Sequence, residues 1–127
     1  MKHFHALISL LVVSSISNAQ TVSSHVAKCE ADAYSKIGLQ VDNNATIEYL
    51  EKKYELVRVC LVGNGLRFNS SAFAAPLLAM REQVFRRYGI WTESPSSDKY
   101  RRYIDQANLE IDRQTTIAKM SAAYWQR

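Results

Sequence analysis

The stretch TIEYLEKKYELVRVCLV, residues 46–62 of this 127-residue chain, has its apolar side chains at helical spacing. The apolar positions recur every three or four residues, which is the pattern of a helix that packs along one face. These positions are Ile47, Leu50, Tyr54, Val57 and Leu61. Most positions between them carry charged side chains, as expected for a face in contact with water. The pattern therefore predicts a helix over residues 46–62.

Three other segments show similar apolar spacing, one before this helix and two after it. Pro76 is expected in the first turn of the third helix, where a proline is tolerated. The last segment contains neither glycine nor proline, so nothing in it predicts an early end. No segment shows the sustained alternation that is typical of a strand. We predict an all-α fold, a small bundle of about four helices over residues 22–41, 46–62, 73–88 and 97–125.

The two cysteines, Cys29 and Cys60, are predicted to form a disulfide that ties the first helical hairpin. An even cysteine count in a chain that is expected to be exported favours a disulfide. In an antiparallel hairpin, cross-linked residues lie about equally far from the turn, and the midpoint here falls beside the turn-forming tripeptide 42–44. Gly38 leaves two possibilities open. It ends the first helix a turn early, or it lies inside that helix at a cost of about 1 kcal/mol.

Residues 1–19 have the composition of a secretory signal peptide. A basic residue near the start is followed by an apolar stretch from Phe4 to Val13, and Ser17 and Ala19 supply the small residues before a cleavage site. The apolar stretch is shorter than the ~20 residues of a membrane-spanning helix. We predict an exported protein, periplasmic or secreted, with one helical domain over residues 20–127 and no transmembrane helix in the mature chain.

Cys29, the segment from Tyr54 to Cys60, and Gly65 five residues after that segment form a recurring pattern. With the apolar-basic-aromatic triplet that follows, the pattern resembles small exported helical-hairpin proteins of proteobacteria, whose function is unknown. The resemblance spans residues 26–68, and the family usually has methionine where this chain has Leu61. The resemblance implies a disulfide-tied hairpin in a bacterial envelope and implies no biochemical activity.

Residue types that perform catalysis are sparse. His25 is the one histidine in residues 20–127, so an activated nucleophile would have a single imidazole base. Gly63-Asn64-Gly65 lacks the Lys-Ser/Thr that completes a phosphate-binding loop. Acidic pairs within residues 48–55 alternate with basic side chains, which is typical of a solvated helix face. We predict that the protein is not an enzyme and has no catalytic residue, no cofactor and no metal site.

Two tripeptides match Asn-x-Ser/Thr, at residues 44–46 and 69–71. In a eukaryotic secreted protein they would be candidate glycosylation sites. The same residue types are also those that cap helix N-termini. Both interpretations stay open at the level of the sequence.

The surplus positive charge lies in the second half of the chain. The whole chain has a formal net charge of +4. Residues 20–75 carry six basic and six acidic residues, whereas residues 76–127 carry nine basic and six acidic residues. Arginines alternate with aromatic residues there, a combination that binds anionic or stacked partners. The predicted partner-binding residues are Arg86, Arg87, Trp91, Arg101 and Arg102.

The spacing on the last helix predicts how these side chains point. At 100° per residue, Tyr100 lies on the same face as Ile104, so both are expected to face the core. Arg101 and Arg102 would then face the solvent. If Arg86 and Arg87 end the preceding helix on the same side, the four arginines form one positive patch. The alternative is structural, with tyrosines packed in the core and arginine head groups in water.

We predict an exported non-enzymatic helical protein that docks a partner through this basic-aromatic surface. The partner would be an unidentified protein or an anionic component of the envelope, and an inhibitor or immunity protein would be one such case. Nucleic acid is disfavoured because an exported protein rarely meets it and the net charge is modest. The alternative function is a structural envelope component without a discrete binding site.

Overall fold

The computed structural model describes residues 22–127, and the predicted signal peptide lies outside the described residues. Four helices make up most of this part of the chain: α1 (22–37), α2 (Ile47–Gly63), α3 (Ser70–Arg87) and α4 (Asp98–Ala118). A short 3₁₀ helix, Ala122–Tyr124, and two strands, β1 (Arg67–Phe68) and β2 (Trp125–Gln126), complete it. The predicted all-α fold of four helices is confirmed. None of the helices in the described part is long and apolar enough to cross a membrane.

A disulfide joins α1 to α2, as predicted. The sulfurs of Cys29 and Cys60 are bonded at 2.05 Å, with their Cα atoms 5.7 Å apart. Asn64 Nδ2 lies 4.0 Å and 3.8 Å from these two sulfurs and donates to the Cys60 carbonyl at 2.8 Å. Cys29 belongs to the first apolar core, together with the buried residues Val26, Ala33, Val57, Leu61, Leu66, Met120 and Trp125.

The first helix ends at residue 37, earlier than the predicted end at residue 41. Gly38 has φ +81°, and its N–H donates to the Tyr34 carbonyl at 2.8 Å. This left-handed conformation ends a helix and favours glycine, which has no Cβ to clash. Of the two possibilities for Gly38, the structure shows the early end of the helix.

Both Asn-x-Ser/Thr tripeptides supply helix caps. Thr46 accepts a hydrogen bond from the Tyr49 N–H at 3.2 Å and caps α2. Asn69 accepts from the Ala72 N–H at 3.1 Å and caps α3, which begins at Ser70 rather than at the predicted residue 73. These bonds satisfy N–H groups that have no partner inside the helix.

Pro76 lies inside α3, as its seventh residue, and not in the first turn as predicted. The earlier start at the Asn69 cap places three more residues before the proline than the apolar stripe indicated. Pro76 has no N–H to donate to the Ala72 carbonyl one turn back, which normally destabilises a helix. The helix nevertheless continues through Pro76, and it packs against α4 and the 3₁₀ helix.

The fourth helix ends at Ala118, well before the predicted end at residue 125. The chain turns and brings β2 alongside β1, so that Phe68 pairs with Trp125 in an antiparallel register. Trp125 Nε1 donates to the Lys119 carbonyl at 2.7 Å, and its ring lies edge-on to Phe68 at 5.6 Å. Burial of Trp125 against the first core outweighs the local preference of this segment for helix.

The loop at residues 38–46 is held at three places, two of them by α2. The Tyr49 hydroxyl donates to the Gly38 carbonyl at 2.6 Å and accepts from the Gln40 N–H at 3.2 Å. One turn further along α2, Lys53 reaches the same loop at Asp42. The third contact comes from Arg113 of α4, which donates to backbone carbonyls of the loop.

Lys53 is a buried lysine, with 1% of its surface exposed. Its Nζ donates to the Tyr34 hydroxyl at 2.6 Å and to Asp42 Oδ1 at 3.1 Å, and lies 4.5 Å from the centroid of the Tyr34 ring. Burial by itself lowers the pKa of Lys53, but these hydrogen bonds and the nearby Glu30 carboxylate outweigh it and raise the pKa above its usual value. A charged ammonium therefore joins α1, α2 and the loop.

We expect replacement of Arg113 by methionine to lower the free energy of unfolding by about 1–2 kcal/mol. Its guanidinium donates to the carbonyls of Asn43 at 2.8 Å, of Asp42 at 3.4 Å and of Ala45. The methionine variant keeps most of the aliphatic stem and removes all three hydrogen bonds. Urea unfolding followed by circular dichroism measures the difference.

The matched variant is Arg113→Lys, which keeps the charge but has one compact ammonium in place of the planar guanidinium. It should recover less than half of the lost stability, because one Nζ cannot reach three carbonyls in different directions. Full recovery by lysine would show that the positive charge, and not the planar shape of the guanidinium, holds the loop.

Candidate partner-binding surface

The predicted binding residues lie above a second apolar core, formed between α3, α4 and the loop that joins them. The buried members are Val84, Phe85, Ile90 and Ala107, with Tyr88, Tyr100, Tyr103, Ile104 and Ile111 partly buried around them. The Tyr100 ring lies edge-on to Phe85 at 6.4 Å, so Tyr100 faces the core as expected. Arg101 and Arg102, next to it on α4, are exposed, also as expected.

The structure brings Arg86 and Trp91 together. Trp91 lies in the loop after α3 and is 42% exposed. Its ring is edge-on to Phe85 at 6.5 Å, and the Arg86 guanidinium lies 5.6 Å from the ring centroid. Arg86 is itself paired with Glu82 at 3.3 Å. An exposed indole ring thus lies next to a buried aromatic ring and a cation.

The expected positive patch of four free arginines is not what the structure shows. Arg86, Arg87 and Arg101 are paired with Glu82, Glu110 and Asp98 respectively. The α4 carboxylates of these pairs, Asp98 and Glu110, are twelve residues apart, which is about 18 Å along the axis of α4. The ion pairs of Arg87 and Arg101 therefore lie at different positions along α4. Arg102 is exposed and makes no ion pair within residues 22–127. The spacing along the sequence allows the Arg86–Glu82 and Arg101–Asp98 pairs, which are four and three residues apart. Glu110, in contrast, comes beside Arg87 only when α4 packs on α3.

The Arg87–Glu110 pair adjoins the tyrosines of the second core. The Tyr88 and Tyr103 rings lie 6.1 Å apart. Partial removal from water raises the pKa of the Tyr88 hydroxyl above its usual value, and the Glu110 carboxylate raises it further. Tyr88 therefore stays neutral at physiological pH and acts as a packing residue with a polar end.

An open groove lies beside Trp91, between this ring and the exposed side of α3. The groove has a volume of about 400 Å³ and is lined by Leu78, Ala79, Arg81, Glu82 and Trp91. Leu78 is 68% exposed. The Arg81 guanidinium lies 5.0 Å from the centroid of the Phe85 ring. Arg81 belongs to the basic-aromatic stretch of the sequence but was not among the predicted binding residues, and sequence reasoning missed Leu78. The available signal was that Leu78 lies outside the apolar stripe that begins at Leu77.

The structure places the other candidate groups away from this arrangement. His25 is half-buried on α1, and Cys29 and Cys60 are bonded to each other, so the described part of the chain has no free thiol. Within residues 22–127 no group of three or more His, Cys, Asp or Glu side chains is placed to hold a metal ion. The groove beside Trp91 combines exposed apolar side chains with charged ones.

Comparisons of the chain with protein families, with curated proteins and with solved structures find no match. Its function must therefore be inferred from the residues and their arrangement.

Proposed function

We propose that this chain is an exported, non-enzymatic helical binding protein that docks a protein partner through the Trp91 surface. By the Trp91 surface we mean Leu78, Arg81, Arg86 and Trp91. One observation carries the proposal: an exposed tryptophan ring lies 5.6 Å from an arginine guanidinium on an otherwise well-packed core. Tryptophan and arginine are the residue types that most often dominate the binding energy of protein interfaces.

The contacts of the Trp91 ring with Phe85 and Arg86 support a role in binding. Because Phe85 and Arg86 already hold Trp91 in place, a partner would lose little free energy in ordering this side chain. The neighbouring Leu78 adds exposed aliphatic area that a partner can cover.

The pairing of charges favours a protein partner over an anionic lipid or polymer. A polyanion is recognised by cations that are free to neutralise it. In this protein Arg86, Arg87 and Arg101 already have carboxylate partners. Aromatic and aliphatic groups with paired charges at the rim are typical of protein–protein interfaces. An inhibitor or immunity protein that covers a site on another protein would fit this description.

Export to the periplasm or the exterior is supported by two features. The Cys29–Cys60 disulfide is of the kind that persists in oxidising compartments. Residues 1–19 have the composition of a signal peptide. Intact-mass measurement of the protein from its native host tests the proposal, because a product that retains Met1 would contradict cleavage.

We expect Trp91→Ala to reduce capture of the partner from envelope extract to about one tenth or less of the wild-type amount, as for a central interface residue. Quantitative mass spectrometry of the captured proteins measures this. The control is Leu109→Ala, which truncates an exposed leucine of α4 that does not line the groove and should leave capture unchanged. Charge reversal at Arg86 or Arg87 is less informative, because it would also set a carboxylate against Glu82 or Glu110.

Equal capture by wild-type protein and Trp91→Ala would contradict the proposed surface. If wild-type protein captures no partner and instead self-associates in sedimentation analysis, the structural envelope component becomes the better interpretation. Thermal unfolding of both variants shows whether any loss of capture comes from loss of the fold.

A further inference from the structure

One cation that lines the groove beside Trp91 has no carboxylate partner in residues 22–127. Glu82, on the groove wall, is neutralised by Arg86 at 3.3 Å. Arg81, its neighbour on α3, makes no ion pair with any carboxylate in the part of the chain that the structure describes. The groove therefore combines an apolar wall with one uncompensated positive charge.

We propose that this groove binds a short acidic-aliphatic segment of a protein partner. An aliphatic side chain of the segment would lie against Leu78, Ala79 and the Trp91 ring, and a neighbouring Asp or Glu would pair with Arg81. This inference rests on the proposed function and names the chemistry of the partner at the same surface.

The position of Arg81 suits it to carboxylate recognition. Its guanidinium lies 5.0 Å from the centroid of the Phe85 ring, within the range of cation–π attraction. The planar fork of N–H donors on a guanidinium matches the two oxygens of a carboxylate. Phe85 is itself buried, so the ring under Arg81 is fixed by the second core.

The size and composition of the groove favour a peptide segment. About 400 Å³ accommodates only a few side chains. Leu78, Ala79 and Trp91 line the groove with apolar surface, which suits an aliphatic side chain. Single-stranded nucleic acid fits less well, because base stacking requires open aromatic faces and Arg86 already lies near the Trp91 ring.

The test uses the purified, disulfide-bonded protein and a phage-displayed library of random dodecapeptides. We expect enrichment of peptides in which Asp or Glu lies within four residues of Leu, Ile or Val. A synthetic peptide from the enriched set should bind wild-type protein more tightly than its Gln or Asn counterpart. Isothermal titration calorimetry or Trp91 fluorescence measures both affinities.

Arg81→Met should weaken binding of the acidic peptide about tenfold or more and should abolish the preference over the amide peptide. Leu78→Ser should weaken both peptides alike. The control variant is Arg67→Met, which removes an exposed arginine on β1, away from the groove, and should change neither affinity. A structural role for Arg81 would lower affinity for both peptides without changing their ratio.

Three results would overturn the proposal: enrichment without acidic residues, an acid preference that survives Arg81→Met, or tighter binding of a dT12 oligonucleotide than of any enriched peptide. The proposed function can fail separately. If neutral aliphatic peptides are enriched and their binding is lost in Trp91→Ala, the result would support the proposed binding surface and contradict the acidic partner. Enriched peptides that bind equally well to Trp91→Ala would contradict both the proposed binding surface and the acidic partner.

Discussion

Replacing Cys29 and Cys60 together by alanine is expected to lower the free energy of unfolding by about 3–4 kcal/mol. The bond joins residues 31 positions apart and restricts the unfolded chain much more than the folded hairpin. A domain of this size has a net stability of about 5–15 kcal/mol, so the loss is a large part of the total. The double variant should still form the hairpin, because α1 and α2 keep their shared apolar core.

Guanidinium unfolding of three samples measures this effect: oxidised wild type, wild type in reductant, and the double alanine variant. The reduced wild type and the variant should agree within about 1 kcal/mol, since the side chain of Cys29 is buried and alanine leaves a small cavity. Reductant should not change the stability of the variant, which serves as its own control. A loss below about 1 kcal/mol would show that packing and the anchored loop hold the hairpin without the bond.

Lys53→Met is expected to lower the free energy of unfolding by about 2–3 kcal/mol. Loss of one partner from a fully buried ion pair costs more, but Asp42 is 33% exposed and water can hydrate the carboxylate that is left. Methionine nearly matches the volume of lysine, so the change removes hydrogen bonds to Asp42 and Tyr34 and leaves little cavity. Urea unfolding at neutral pH measures it.

Lys52 provides the matched control, because it is the preceding residue of α2 and is exposed. Lys52→Met should change stability by less than about 0.5 kcal/mol. Adding Asp42→Asn to Lys53→Met removes the unpaired carboxylate and should restore part of the loss. Equal effects of Lys52→Met and Lys53→Met would show that the buried network does not stabilise the loop.

The stability difference between wild type and Lys53→Met should shrink at the alkaline end of the pH range. The folded protein raises the pKa of Lys53 above its usual value of 10.5, so the folded state binds this proton more tightly than the unfolded state does. The contribution is fully present below the unfolded pKa and is lost as the pH rises through the folded pKa. The difference should therefore be constant around neutral pH and shrink above about pH 10.5.

Local sequence signals predicted the elements whose stabilising contacts are near in the chain. The apolar positions of α2 and the turn at residues 42–44 depend on residues within about one or two helical turns. The sequence left the role of Gly38 open, and Thr46 was one of two candidate caps, with Asn44. The Cys29–Cys60 pair was predictable because the turn between the helices lies midway between the two cysteines.

Long-range contacts decided the places where prediction failed. The end of α4 at Ala118 depends on burial of Trp125 beside Phe68, and these residues are far apart in the chain. The start of α3 at the Asn69 cap, three residues before the predicted start, likewise placed Pro76 inside the helix, which the apolar periodicity does not report.

By itself, the sequence determined the class of fold, the first hairpin and its disulfide, since helical periodicity and turn residues act over a few positions. The spacing also allowed the Arg86–Glu82 and Arg101–Asp98 pairs within single helices. Only the tertiary structure decided the surroundings of Arg87 and Arg81. Arg87 meets Glu110 because α4 packs against α3, whereas Arg81 is left beside Phe85 without a carboxylate partner in residues 22–127. Charge pairing depends on distance in space, and distance along the chain does not report it.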